Sequence, residues 1–292
     1  MNNLQNSQPI VLACIDQSPY ANHVADYAAW AATRLNVSLE LLHVIDRNPT
    51  LGPEQDHSGA IGANEQENLL KKIVDQDELR SRHARETGRV FLNALRERVM
   101  AGGLTTVDMR QRHGSLVDSL LEREAGTRLV VMGRRGQSSG TTQRDLGRNV
   151  ETVVRALNRP ILTVTDAFAA PTHLMIAFDG GAASRRALEM VATSPAFKGI
   201  RCTIIMIQKT ETRDAPRQLE QALTKLRAAG LPAESHLLFG EIETLIASSI
   251  KALGIDLLVM GAYTHSPLRS LFMGSHTSGL LRAARVPTLL LR

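Results

Sequence analysis

Leu129-Val130-Val131-Met132-Gly133 and Leu257-Leu258-Val259-Met260-Gly261 are one pattern written twice. Each is a short apolar run that stops on glycine, as a strand buried on both faces does before a tight turn. The doubling continues outward. Pro9-Ile10-Val11-Leu12-Ala13-Cys14-Ile15-Asp16 and His173-Leu174-Met175-Ile176-Ala177-Phe178-Asp179 are apolar runs ending in an acid. Pro160 and Pro287 each precede a last apolar run. The acids are 163 positions apart, the glycines 128 and the prolines 127. The order of elements is kept while the offset shrinks, so the first copy holds extra residues in its middle. These fall in a polar stretch, about 46–86, rich in Gln, Asn, Asp and Glu. A repeat this long is a domain duplication rather than a solenoid of short units. The expected domains are 1–168, with its polar insertion, and 171–292, joined near Ala167-Phe168-Ala169-Ala170-Pro171.

Within each copy apolar strand-like runs alternate with helical patterns. Val24, Tyr27, Ala28, Ala31 and Leu35 recur at helical spacing between the strands expected at 10–15 and 39–45. A longer helix is expected over 69–100, stopped by Gly102-Gly103, and Ser115 reads as the N-cap of another. The charged stretch 65–86 reads either as a solvated helix face extending from that longer helix or as a lid that meets a partner. The second copy repeats the order without the insertion. Alternating strands and helices predict an α/β fold: two tandem domains, each a five-stranded parallel sheet flanked by helices. Ligands of such sheets sit at the carboxyl ends of the strands, at the point where the strand order reverses. The repeated acids and glycines lie at those ends.

The 292 residues carry a net charge of +5 and a sequence pI near 9.5. A mildly basic balance favours acidic ligands without choosing one. Aromatics are only 3 % and the basic residues are scattered, which argues against nucleic acid. Cys14 and Cys202 sit in apolar runs and read as core thiols. No secretory leader pattern and no apolar run of about 18 residues is present, so no membrane contact and a cytoplasmic location are expected.

The loops after the repeated glycines carry the chemistry. Copy one reads Gly133-Arg134-Arg135-Gly136, ten residues, then Gly147-Arg148-Asn149 opening a helix. Copy two reads Gly261-Ala262-Tyr263-Thr264, nine residues, then Gly274-Ser275 opening a helix. Glycine lets a backbone N–H approach a ligand with no Cβ in the way. A helix N-terminus offers unpaired N–H groups and the positive end of its dipole. Together they suit a phosphate chain; each loop taken alone could equally be a plain turn. Asp16 and Asp179 have a second reading as N-caps of the next helix. Arg134, Arg135 and Arg148 either pair with phosphates or are solvated.

The pattern Gly-x2-Gly-x9-Gly-(Ser/Thr) after a strand ending Val-Met-Gly resembles the universal stress protein family. Asp16-Gln17-Ser18, Asp179-Gly180-Gly181, Leu41-Leu42-His43-Val44 and Arg159-Pro160-Ile161-Leu162 look like that family too. The resemblance covers nearly the whole chain, twice. It implies a tandem member with a Rossmann-like fold, similar to adenine nucleotide α-hydrolases, and adenine nucleotide binding, with ATP, with or without Mg²⁺, as the ligand. Carried over by position, the resemblance implies a preferred site of Asp179, Ile207, Gly261, Thr264, Gly274 and Ser275. A weaker site comprises Asp16, Val44, Gly133, Gly136 and Gly147. Copy one departs by ten residues instead of nine and by Arg148 in place of Ser/Thr. Copy two departs by Thr264 in place of the second glycine; its Cβ crowds the loop or its hydroxyl adds a contact. The family's homodimer pairs last strands, which implies that 161–164 and 288–291 pair within this chain as a pseudo-dimer, with a further homodimer left open.

No nucleophile–base pair, metal-ligand spacing or Walker-type loop is present in the sequence. His43 reads as a core histidine, and His265 and His276 as solvated residues beside the copy-two loop. A nucleotide-binding regulatory protein of the stress response, without committed catalysis, is therefore expected. A non-nucleotide interaction protein and a slow ATP hydrolase are the alternatives.

Overall fold

A computed structural model describes residues 8–45, 63–134, 148–165, 167–262 and 275–292. Copy one runs β1 (Ile10–Ile15), α1 (Ala21–Leu35), β2 (Ser38–Ile45), α2 (Ala63–Ala101), β3 (Val107–His113), α3 (Leu116–Arg123), β4 (Thr127–Gly133), α4 (Arg148–Ala156) and β5 (Ile161–Val164). Copy two runs β6 (His173–Ala177), α5 (Ala182–Thr193), β7 (Arg201–Gln208), α6 (Ala215–Ala228), β8 (Ala233–Phe239), α7 (Ile242–Leu253), β9 (Leu257–Gly261), α8 (Ser275–Ala283) and β10 (Thr288–Leu291). Helix boundaries follow local chemistry. Ser115 caps α3 by accepting from the Asp118 N–H at 3.4 Å, as expected. Gly254 closes α7 in the left-handed region, φ 65°, where glycine carries no Cβ penalty.

The ten strands form one sheet in the order β3-β2-β1-β4-β5-β10-β9-β6-β7-β8. The second half is the first half turned about, so the duplication is visible as a pseudo-twofold axis between β5 and β10. Pairing is parallel throughout each copy; β5 and β10 run antiparallel, with Leu162 opposite Leu289. The two last strands thus join the copies, as the sequence resemblance implied.

Strand side chains alternate between two cores. Val11, Ala13, Leu129 and Val131 face one side with Leu174, Ile176 and Val259, under α1, α2, α5 and α6. Leu12, Val130 and Met132 face the other with Met175, Leu258 and Met260, under α3, α4, α7 and α8. Burial on both faces explains why these strands read as continuous apolar runs. The linker is pinned to copy one. The Tyr27 hydroxyl donates to the Ala167 carbonyl at 3.1 Å and accepts from the Ala169 N–H at 3.3 Å. Its ring meets Phe168 edge-on at 4.8 Å.

The helix expected from Leu69 begins at Ala63, so the polar stretch is helical from that residue on. Its later turns lie on the sheet through buried Leu92, Leu95 and Val99. A Cβ at Gly88 would meet the Cδ2 of His43 at 3.0 Å, and the side chain of Gln111 lies closer still. Glycine therefore lets this long helix close onto the strands. Among the described residues no helix is long and apolar enough to cross a membrane.

Candidate functional site

Each copy reverses its strand order between two strands: β1 and β4 in copy one, β6 and β9 in copy two. Cys14 pairs with Met132 and Ala177 with Met260, so the acid and the glycine of each copy emerge side by side at the carboxyl edge. Val44 and Ile207, half-buried, lie near the ends of the neighbouring strands β2 and β7. The predicted acid, glycine and aliphatic positions of each copy therefore share one end of the sheet.

In copy two the Asp179 carboxylate folds back on its own loop. Its Oδ1 accepts the Gly181 N–H at 2.9 Å and the Ser184 hydroxyl at 2.6 Å. This ties the turn before α5 to its first residues, but Asp179 is not the N-cap read as its alternative: that position is Gly181, and no side chain caps it. Gly180 enters the left-handed region at φ 72°, under the side chain of Gln218 from α6. In copy one the Asp16 Oδ1 accepts the Ser18 N–H at 3.2 Å, a looser version of the same turn.

Gly261 is needed for close approach. A Cβ there would fall 2.6 Å from the Cβ of Ala183 and 3.1 Å from the Ser184 nitrogen. The end of β9 thus presses against the first turn of α5, with no room for a side chain. Gly133 ends β4 at the equivalent place and pairs with Val164 of β5.

Two helices begin where the sequence places the ends of the glycine loops, α4 at Arg148 and α8 at Ser275. Gly136, Gly147, Thr264 and Gly274 lie outside the described residues, as do Arg135 and His265. The side chains of Arg148, Ser275 and His276 are likewise outside them.

The Arg134 guanidinium crosses to copy two. It donates to the carbonyls of Ala284 and Val286, the latter at 2.7 Å, and to the Thr288 hydroxyl at 3.0 Å. The reason is geometric: the end of β4 lies across β5 from the start of β10, where carbonyls at the end of α8 need donors. The Arg134 contact leaves no mark in the sequence, because its partners lie some 150 residues away; the Ser184 and Gln218 contacts depend on how α5 and α6 pack against the turn after β6.

The remaining reactive groups are quiet. Burial, helped by the charge of Asp16, pushes the Cys14 thiol up to about 12, and burial alone pushes Cys202 up to about 12. Both are free thiols and neither is a thiolate at neutral pH. His43 is buried, with its Nδ1 2.9 Å from the Ile15 carbonyl, as a core histidine.

The sequence profile of the universal stress protein family matches residues 9–165 and again 171–292. A universal stress protein of Synechocystis is 30 % identical over 284 residues, covering 97 % of this chain and 99 % of that protein. Among solved structures, a universal stress protein of Archaeoglobus fulgidus superposes with a TM-score of 0.70 at 16 % identity, covering 97 % of this chain and 96 % of that one. A putative universal stress protein of Pseudomonas aeruginosa superposes with a TM-score of 0.65 at 16 % identity, covering 98 % and 93 %. The structural likenesses show the shared fold. With the duplicated profile match and the full-length relative, they lead to one conclusion: the chain is a tandem member of the universal stress protein family.

Proposed function

We propose that this protein is a stress-response regulator that binds an adenine nucleotide, ATP by preference, at the carboxyl edge of its sheet. The preferred site is in copy two and comprises Asp179, Ile207, Gly261, Thr264, Gly274 and Ser275. Copy one, with Asp16, Val44, Gly133, Gly136 and Gly147, is the weaker site. The units are residues 1–168 and 171–292, and the protein works in the cytoplasm.

One observation carries the reading. In copy two the side-chain-free Gly261 ends β9 at the strand-order reversal, and the next described residues begin a helix at Ser275. A reversal point is where nucleotides enter such sheets, and unpaired N–H groups at a helix start suit phosphate oxygens. The donor set fits an anionic ligand. Backbone N–H groups and the Ser275 hydroxyl would take the phosphates, and Ile207 would face the base through its backbone. Mg²⁺ would serve only to neutralise phosphate charge. Copy one lacks the Ser/Thr, and its Arg134 is committed to the seam, which supports ranking it second.

The test is direct. Purified protein is denatured, the released small molecules are identified, and melting is measured with and without Mg-ATP. The expected result is released adenine nucleotide, or a rise in melting temperature that Gly274→Val abolishes. No nucleotide and no thermal shift would reject the reading.

A further inference from the structure

The sheet ends differently in the two copies. β3 closes the copy-one side and β8 the copy-two side, and among the described residues no strand lies beyond either. The ladder between β7 and β8 fixes which main-chain groups of β8 are used. The Cys202 N–H donates to the Pro232 carbonyl at 2.8 Å, and the Gly240 N–H donates to the Gln208 carbonyl at 3.0 Å. Main-chain groups alternate sides along a strand, so Glu234, His236 and Leu238 turn theirs toward β7. Ala233, Ser235, Leu237 and Phe239 turn theirs outward. The Ala233 carbonyl accepts from the Arg227 guanidinium at 3.2 Å. That leaves the N–H and C=O groups of Ser235, Leu237 and Phe239 facing outward, with the Phe239 ring 49 % exposed.

Copy one guards the same positions with charge. The second residues of β2 and β7, Leu39 and Cys202, pair with Val107 and Ala233. Arg110, Gln111 and Arg112 of β3 therefore correspond to His236, Leu237 and Leu238 of β8. A second copy laid antiparallel on β3 about Gln111 would set Arg110 opposite the partner's Arg112, and the reverse. Like charges directly opposite repel, and charged side chains are a usual guard of open sheet edges. β8 has no such guard, since His236 and Leu238 stand where copy one has arginines.

We propose that β8 is a docking edge for a second copy of this chain, added antiparallel about a twofold axis at Leu237. This register sets Leu237 opposite the partner's Leu237 and Ser235 opposite the partner's Phe239, each pair exchanging two main-chain hydrogen bonds. A shift toward the amino end of β8 draws in the Ala233 carbonyl that Arg227 already holds. A shift the other way meets Gly240, whose φ of 141° ends the strand. Leu237 and Phe239 share one face of β8, so each Phe239 lies diagonally across from the partner's Leu237. The charges agree as well. Ala233 falls opposite the partner's Glu241, an exposed acid that makes no side-chain cap to α7, and Arg227 stands at that point. Pairing two β8 edges leaves only the charged β3 edges, so assembly closes at the dimer.

Sedimentation velocity of the full-length protein from about 1 to about 100 µM tests this, the range in which small interfaces associate. The wild type should pass from monomer to dimer. Phe239→Lys should raise the dimer Kd at least tenfold, and His113→Lys, the matching change on β3, should alter it less than twofold. Monomer at every concentration would leave the edge to a different chain and overturn self-pairing. Oligomers beyond the dimer, or equal effects of the two changes, would overturn it too. A cross-link checks the register without relying on Phe239→Lys. His236 and the partner's Leu238 form a non-hydrogen-bonded pair with Cα atoms about 4.5 Å apart, within disulfide range. Under mild oxidation, His236→Cys chains mixed with Leu238→Cys chains should give at least fivefold more linked dimer than either variant alone. Equal yields from the single variants would overturn the proposed pairing.

Discussion

Thr163 and Thr288 face each other where the two copies meet, and the Thr163 hydroxyl donates to the Thr288 carbonyl at 3.2 Å. Both are fully buried. The seam is therefore core rather than a surface contact, and the chain's two repeats share one sheet.

Truncation at this seam should cost as much as truncation inside either copy. Leu162 is buried opposite Leu289. Leu162→Ala should lose about 2–5 kcal/mol, the range for deleting a buried leucine side chain. Guanidinium denaturation checks it; a loss below about 0.5 kcal/mol, within the range of an ordinary surface substitution, would mean the copies are stable without the seam.

Glu40 sits in β2 with its side chain only 4 % exposed, between Arg110 at 3.1 Å and Arg123 at 2.5 Å. Removing both arginines strands a buried carboxylate, whereas replacing the acid frees two partly exposed cations to meet water. Arg110→Ala with Arg123→Ala should cost about 3 kcal/mol or more, and Glu40→Met should be close to neutral. Equal losses from the two changes, read by urea denaturation, would contradict this.

Gly261→Ala forces a methyl into the first turn of α5. Overpacking of this kind costs about 1–3 kcal/mol. Melting followed by circular dichroism should show the loss, and the equivalent change at Gly199, which has open space around it, should lack the packing part.

His173 is buried at the start of β6, and its Nε2 lies 2.8 Å from the Thr203 hydroxyl. That hydroxyl donates to Glu234, so it accepts from the histidine N–H. Burial, with the nearby charge of Arg201, lowers the His173 pKa below its usual 6.5. The unfolded chain then binds more protons than the folded one below about pH 6.5, so this group makes stability rise with pH up to that point and level off above it. The urea midpoint should fall between pH 7.5 and pH 5, and His173→Gln should flatten the fall. An unchanged slope would show that another group governs it.

The strand ends were legible because their residues obey local rules. Leu129 to Gly133 and Leu257 to Gly261 announce buried strands and the turns that follow, and Ser115 announces a cap. The pairing of 161–164 with 288–291 followed from the family resemblance, whereas its register, Leu162 opposite Leu289, came only with the structure. The start of α2 was harder, since residues 63–68 are polar on every side and carry no apolar period. The contact made by Arg134 was not legible at all. An arginine beside a glycine loop looks like a phosphate ligand, and its true partners are carbonyls some 150 residues away. Ser184 was missed for another reason: its partner Asp179 is only five residues away, but their meeting depends on the turn between them.

The central claim, a nucleotide site in copy two, is tested most directly by calorimetric titration of Mg-ATP into wild type, Gly274→Val and Gly147→Val. The account predicts saturable binding in the wild type whose tighter event survives Gly147→Val and disappears in Gly274→Val. No binding in the wild type, or loss of the tighter event in Gly147→Val instead, would contradict it.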